Sequence, residues 1–321
     1  MEHMMGDVVA VVGMGRSGTS TIARGLLAIG VDLGTNLMAA DPQVNPLGFW
    51  EDNDLHALCE KLLVHLKMRG DSVRTVRAAE WASPEVLELK TRAVTLVKER
   101  VTASRGNIWG CKNPRMALLM PFWLDVFAEA NCRDRYVVAI RNPLSVANSI
   151  RRLGDADPRK TYAVWMAHNM GAMQAVMRGK SCVVVDYDLL MAEPRQQLQR
   201  MASRLGLAAT THRDADIDLY SKEFLRGDHR HSTHTIADMN RDEMLPRSIA
   251  QAYELLYEAA QDRISTADTA FAGQWHQVVS ALGDAWSLLS YFEVAEEAAR
   301  VARKHRGIWP FRRRTRAPKT E

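Results

Sequence analysis

The groups best suited to chemistry in this chain are an arginine inside a glycine-rich turn and the hydroxyl residues around it. They lie in Gly13-Met-Gly-Arg-Ser-Gly-Thr-Ser-Thr21, directly after the apolar run Val8-Val-Ala-Val-Val12. A strand, a glycine turn and a helix start place free backbone N–H groups around an anion, usually a phosphate. Two phosphate patterns fit in part. Gly13 and Gly18 satisfy G-x-x-x-x-G-K-[ST], but Thr19 stands where the triphosphate-binding lysine belongs. Gly13, Gly15 and Gly18 satisfy G-x-G-x-x-G, which also needs a ribose-binding acid at the end of a second strand. The available acid, Asp32, lies in a short segment broken by Gly30 and Gly34. The loop therefore reads as an anion cradle poorly equipped to split a triphosphate, with Arg16 as its one cation.

A second anion-binding pair is Arg141 with Ser149, after the run Arg135-Tyr-Val-Val-Ala-Ile140. Asn142 fits an N-cap and Pro143 the first helical position. Arg141 then falls at a strand's carboxyl end, where open α/β sheets bind ligands. Taken alone, this segment reads more readily as a capped helix with a surface arginine. Glu51, beside Asp52, reads on its own as a helix-start carboxylate, favoured by negative charge near a helix N-terminus. His56, on the helix that follows, reads as a surface or core histidine. His229, His231 and His234 have no metal-like spacing, and no metal is expected.

The elements that must position these groups follow from periodicity. Ile22, Leu26 and Ile29 share one face of a helix spanning about 18–29. Amphipathic helices follow to Leu66 and over about 84–102, the latter opened by Pro84. Apolar runs at 107–111, 135–140 and 181–185 read as further strands, each followed by a helical pattern. Strands buried on both faces and alternating with helices predict an α/β fold with a P-loop NTPase-like parallel sheet. Residues 220–246 read as irregular. Residues 247–304 read as two or three helices forming a C-terminal helical appendage, a place for homodimer contacts. The expected division is 1–246, 247–304 and a disordered basic tail at 305–321.

Composition narrows the class. At 47% hydrophobic and 25% charged residues the chain reads as an ordinary soluble globular protein. The four cysteines lack paired or metal-like spacing and read as reduced thiols of a cytoplasmic protein. No apolar run is long enough to span a bilayer, and no signal peptide is visible. The net charge of +4 comes from residues 301–321, which carry eight Lys/Arg against Glu321 alone. Basicity is thus a tail property that argues against nucleic-acid binding and suits contact with an anionic membrane surface.

Together the motifs resemble sulfotransferases that use 3′-phosphoadenosine 5′-phosphosulfate (PAPS), in particular bacterial ones. Gly13–Ser20 resembles the family's 5′-phosphosulfate loop, and Arg141 with Ser149 its 3′-phosphate site. Asn45-Pro-Leu-Gly-Phe-Trp-Glu-Asp52 is similar to an Asn-Pro-x-Gly-[Phe/Tyr]-Trp-Glu segment, and Lys112-Asn-Pro-Arg115 to a Lys-Asp-Pro-Arg segment with Asn113 replacing the acid. Val184-Val-Asp-Tyr-Asp-Leu-Leu190 matches a tyrosine-bearing strand end. The resemblance covers about residues 7–230.

It implies that Gly15, Arg16, Ser17, Gly18, Thr19, Ser20 and Thr21 hold the 5′-phosphate of PAPS. Arg16 stands where many relatives carry lysine, facing the charge that grows as the sulfuryl group leaves. Arg141 and Ser149 would hold the 3′-phosphate, with Arg226 and Arg230 in a loop closing over the nucleotide. Glu51 becomes the candidate general base, and Lys112, Arg115 and Trp50 contact the acceptor or the donor sulfate. The acceptor would be a hydroxyl of a carbohydrate, glycolipid or other small metabolite. The alternatives are a P-loop-type kinase or NTPase, which the missing lysine opposes, and a non-catalytic nucleotide-binding protein.

Overall fold

The structure, a computed structural model, describes residues 5–154, 156–225 and 233–306. Arg226, Arg230, His229, His231 and the basic segment from 307 onward lie outside them. Strand β1 (Gly6–Val12) ends on the glycine turn, from which helix α1 (Thr19–Ala28) starts. Three helices, α2 (Asn53–His65), the single turn α3 (Ala78–Trp81) and α4 (Pro84–Ala103), intervene before β2 (Ile108–Lys112). Short α5 (Arg115–Leu118) and α6 (Met120–Glu129) lead to β3 (Cys132–Ile140). Helices α7 (Pro143–Arg151) and α8 (Pro158–Met177) lead to β4 (Ser181–Asp186). Then come α9 (Tyr187–Ala192), α10 (Pro194–Arg204) and α11 (Arg213–Leu219), with a π-helical turn at Tyr220–Phe224. The described chain closes with α12 (Ile236–Arg241), α13 (Arg247–Ala260) and α14 (Thr269–Arg306).

Every strand connection is helical, so the sheet is parallel, in the order β2-β1-β3-β4. Side chains of β1 alternate between faces. Val8, Ala10 and Val12 join one apolar cluster with α2, α4, α6 and α8, whereas Val9 and Val11 join another with α1 and α10. Burial on both faces accounts for the unbroken β-branched run that the sequence shows. The chain crosses from β2 on one side of β1 to β3 on the other. This reversal opens a crevice at the carboxyl ends of β1 and β3.

The α/β expectation holds, with a helical C-terminal region. Ile249, Ala252 and Leu256 of α13 and Phe271, Trp275 and Trp286 of α14 are buried in the cluster that contains Val8 and Val138. Residues 247–306 form two helices, the second broken at Gly283 (φ +21°). Within the stretch expected to be irregular, Thr235 and Asp238 form a reciprocal capping box that starts α12. No described helix is long and apolar enough to cross a membrane.

Candidate active site

The crevice between β1 and β3 is filled by the glycine turn. Gly18 stands at φ +79°, and a Cβ there would lie 2.2 Å from the Tyr187 ring. Glycine is needed for both reasons. Arg16 adopts φ +72° without that freedom, a left-handed conformation costing on the order of 1 kcal/mol that clusters at functional positions. No side chain caps the N-terminus of α1, so its leading amides have no side-chain acceptor. The Ser17 hydroxyl is buried and has no hydrogen-bond partner among the described residues.

The two anion-binding segments meet directly. Arg16 Nε donates to Ser149 Oγ at 3.0 Å, and Arg141 Nη1 lies 3.5 Å from the Arg16 carbonyl. Asn142 caps α7 by accepting from the Leu144 amide, and Pro143 occupies its first turn, as the sequence predicts. The Arg141 guanidinium lies over the Tyr187 ring, 4.5 Å from its centroid, and 3.6 Å from Asp188 Oδ2. Burial, and then the neighbouring Arg141, hold the Arg16 guanidinium below its usual range. Arg16 has no carboxylate partner among the described residues. Both arginines, Ser149, Thr19, Ser20 and Thr21 line a cavity of about 340 Å³, whose far wall is the loop Pro42–Gly48.

That wall is pinned by the segment the sequence singles out. Asn45 Nδ2 donates to Gly48 O at 2.7 Å and to Ser20 Oγ at 3.1 Å, and Ser20 donates to Phe49 O. Lys112 Nζ reaches Ser20 Oγ, Phe49 O and, at 2.6 Å, Glu51 Oε1. Glu51 is 4% exposed, so it is no solvated helix-start acid; the helix-start position belongs to Asp52, also buried, which caps α2 and pairs with Arg100. Asn113 Nδ2 donates to Glu51 Oε2 at 2.8 Å, and His56 Nδ1 lies 3.4 Å from the same oxygen. Burial alone would raise the Glu51 pKa. The His56 hydrogen bond and the Lys112 ammonium hold it below the usual carboxylate range. Burial in turn lowers Lys112.

The expected residues thus separate into groups. Gly18, Arg16, Thr19, Ser20, Thr21, Arg141 and Ser149 converge on the cavity. A Cβ at Gly15 would meet nothing within 4 Å, so packing does not require glycine there. Glu51 and Lys112 form a buried ion pair behind the loop wall, and Arg115 pairs with Glu60. Trp50 is left-handed (φ +57°) and lies under Arg24, edge-on to Phe224. His234 is held against α7, its ring nitrogens 3.2 Å from Ser145 Oγ and from Asn148 Nδ2. Sequence reasoning missed Tyr187 as a site residue, although its place at the end of β4 was the available signal. Phe224, Arg152 and Leu153 also line the cavity, and no sequence pattern marks them.

Comparison with known proteins gives one family. A profile described as "Sulfotransferase family" matches residues 8–211. No curated protein matches the chain. Among solved structures, one similar to this chain is the sulfotransferase domain from the Synechococcus PCC 7002 olefin synthase. It is 17% identical, with a TM-score of 0.41 over 79% of this chain and 90% of that one.

Proposed function

The chain belongs to the sulfotransferase family, and from that premise we propose that it moves a sulfuryl group from PAPS to an alcohol. The hydroxyl would belong to a carbohydrate, glycolipid or other small metabolite. The observation that carries this reading is the convergence of Arg16, Arg141 and Ser149 on one cavity beside the uncapped start of α1. The residues fit such a donor. The Arg16 guanidinium, the Ser17 hydroxyl, which has no partner among the described residues, and the helix-start amides suit an anion there, Arg141 adds a second cation while 3.6 Å from Asp188, and position 19 lacks the lysine a triphosphate needs. When bound, PAPS supplies an activated sulfuryl group on a phosphate leaving group.

The chain's residues do the rest by position and charge. The loop from Gly15 to Thr21 holds the 5′-phosphate, and Arg141 with Ser149 holds the 3′-phosphate. Arg226 remains the expected contribution of the segment outside the described residues. Arg16 neutralises negative charge growing on the leaving oxygen, and being prepositioned it needs little reorganisation during reaction. Trp50 and the pinned Asn45–Phe49 segment shape the acceptor's approach. Arg115 remains the expected contact of the acceptor or the sulfate, which it would make only by giving up its Glu60 partner. Lys112 fixes the Glu51 carboxylate and ties it to the phosphate loop through Ser20.

Glu51 takes the acceptor's proton as general base. One observation favours a second reading. Glu51 already accepts from Lys112 and Asn113, whereas His56 beside it has a 25% exposed side chain. In that arrangement His56 takes the proton at Nε2 while Glu51 orients Nδ1–H. The test is transfer of labelled sulfate from PAPS to hydroxyl acceptors by wild type, Glu51→Gln and His56→Gln. With Glu51 as base, E51Q loses about 10²–10⁴-fold and H56Q keeps most activity. Comparable losses in both support the His56 relay. Turnover of ATP·Mg²⁺ without sulfate transfer would overturn the function itself.

A further inference from the structure

Three arginines line the nucleotide cavity, and none of its described lining residues is acidic. Arg16 faces the leaving oxygen and Arg141 the 3′-phosphate, which leaves Arg152 without a role. Arg152 is the C-cap of α7, three residues beyond Ser149, and Leu153 after it lines the same cavity. Residues three and four apart share a helix face. Ser149, Arg152 and Leu153 therefore form one stripe turned to the cavity. Three residues advance a helix by about 4.5 Å, well within the reach of an arginine side chain.

A cation at a helix C-terminus is favoured by the last carbonyls and the macrodipole even where no ligand binds. The adjacent Arg151 fits that account. Its Nη2 donates to Asn148 Oδ1 at 3.1 Å, and it faces a separate cavity that also carries Asp238 and Asp242. Arg152 points to the other face, where cations gather without a lining acid. Charge gives the reason for a third cation there. A phosphate monoester carries about −1.5 to −2 near neutral pH. Arg141 balances only part of that, because Asp188 Oδ2 lies 3.6 Å from its Nε. Ser149 is neutral, and its hydroxyl accepts from Arg16. Arg152 is exposed, so its charge stays solvated in the empty protein and is available at the cavity.

Resting on the reading of Arg141 and Ser149 as the 3′-phosphate site, we propose that Arg152 is the third contact of that phosphate. It thereby sets the preference for a 3′-phosphorylated donor over one without that group. The test is isothermal titration calorimetry of the full chain with adenosine 3′,5′-bisphosphate and with adenosine 5′-monophosphate. Wild type, Arg152→Ala and Arg151→Ala are compared. R152A should weaken the bisphosphate about tenfold, the worth of one charge-assisted hydrogen bond, and leave the monophosphate unchanged. R151A removes the same charge from the other face of α7 and should leave both affinities unchanged. Melting of the free protein should be the same in wild type and R152A, because the side chain is exposed. Unchanged bisphosphate affinity in R152A overturns the proposal, as does equal weakening of both nucleotides or an equal loss in R151A. A wild type that does not prefer the bisphosphate takes the 3′-phosphate reading of Arg141 and Ser149 down as well. A wild-type preference that R152A keeps intact strikes the Arg152 assignment alone.

Discussion

Two charged clusters lie at the carboxyl edge of the same sheet and are built in opposite ways. Around Arg16 and Arg141, two cations line an open cavity with Asp188 beside the second alone, and a buried hydroxyl next to them has no partner among the described residues. Around Glu51, Lys112 and Asn113, charge cancels at hydrogen-bond distance inside the protein, and only His56 at its edge is part-exposed. Like charges brought together under partial burial cost free energy in the empty protein and are repaid when an anion arrives. The paired cluster needs no ligand to be stable. The contrast separates residues that wait for something from residues that hold others in place.

Breaking the paired cluster should produce the largest effect on the fold. Lys112→Met leaves the Glu51 carboxylate buried without its cation, and should destabilise by about 3–5 kcal/mol in urea unfolding. Adding Glu51→Gln should recover a substantial part of that loss. A double variant no more stable than K112M would mean that the pair is not coupled.

The open cluster should respond the other way. Arg16→Ala removes one of two neighbouring like charges, so the melting temperature of the free protein should hold or rise. Sulfuryl transfer should fall about 10²–10³-fold, the cost of losing one preorganised donor. A marked loss of stability in R16A would place Arg16 with the structural residues and erase the contrast.

The smallest effect is in pH dependence. Glu51 has a folded pKa below its unfolded value, so its contribution is present above the unfolded pKa and is lost as pH falls through the folded one. Asp186, capping α9 beside the open cluster, is pushed up to about 6, chiefly by burial. Its sign is reversed: the contribution is present below the unfolded pKa and is lost as pH rises through about 6. Thermal melts from pH 3 to 8 should therefore flatten at the acid end in E51Q and near pH 6 in Asp186→Asn. Identical profiles in wild type and both variants would contradict these assignments.

What the sequence could say follows from the range of the forces involved. The glycine turn, the Asn142 cap, Pro143 and the strand runs are local, set by backbone sterics and by burial on both faces, and they were legible. The meeting of Arg16 with Ser149 spans 133 residues and that of Lys112 with Glu51 spans 61. The first was legible only as two separate anion motifs. The second was invisible, because no spacing rule says that a motif lysine will neutralise a motif acid. Tyr187 was quoted as part of a strand end, but its ring packs on Gly18 and under Arg141, contacts fixed only when β4 takes its place beside β3.

The central proposal is that Arg16 and Arg141 bind the two phosphates of one nucleotide. Its most direct test is thermal melting with adenosine 3′,5′-bisphosphate, in wild type and Arg141→Ala. At a hundredfold excess over Kd the ligand should stabilise wild type by about 2.7 kcal/mol, and R141A should lose most of that shift. No shift in wild type, an equal shift in R141A, or stabilisation by ATP·Mg²⁺ in place of the bisphosphate would contradict the account.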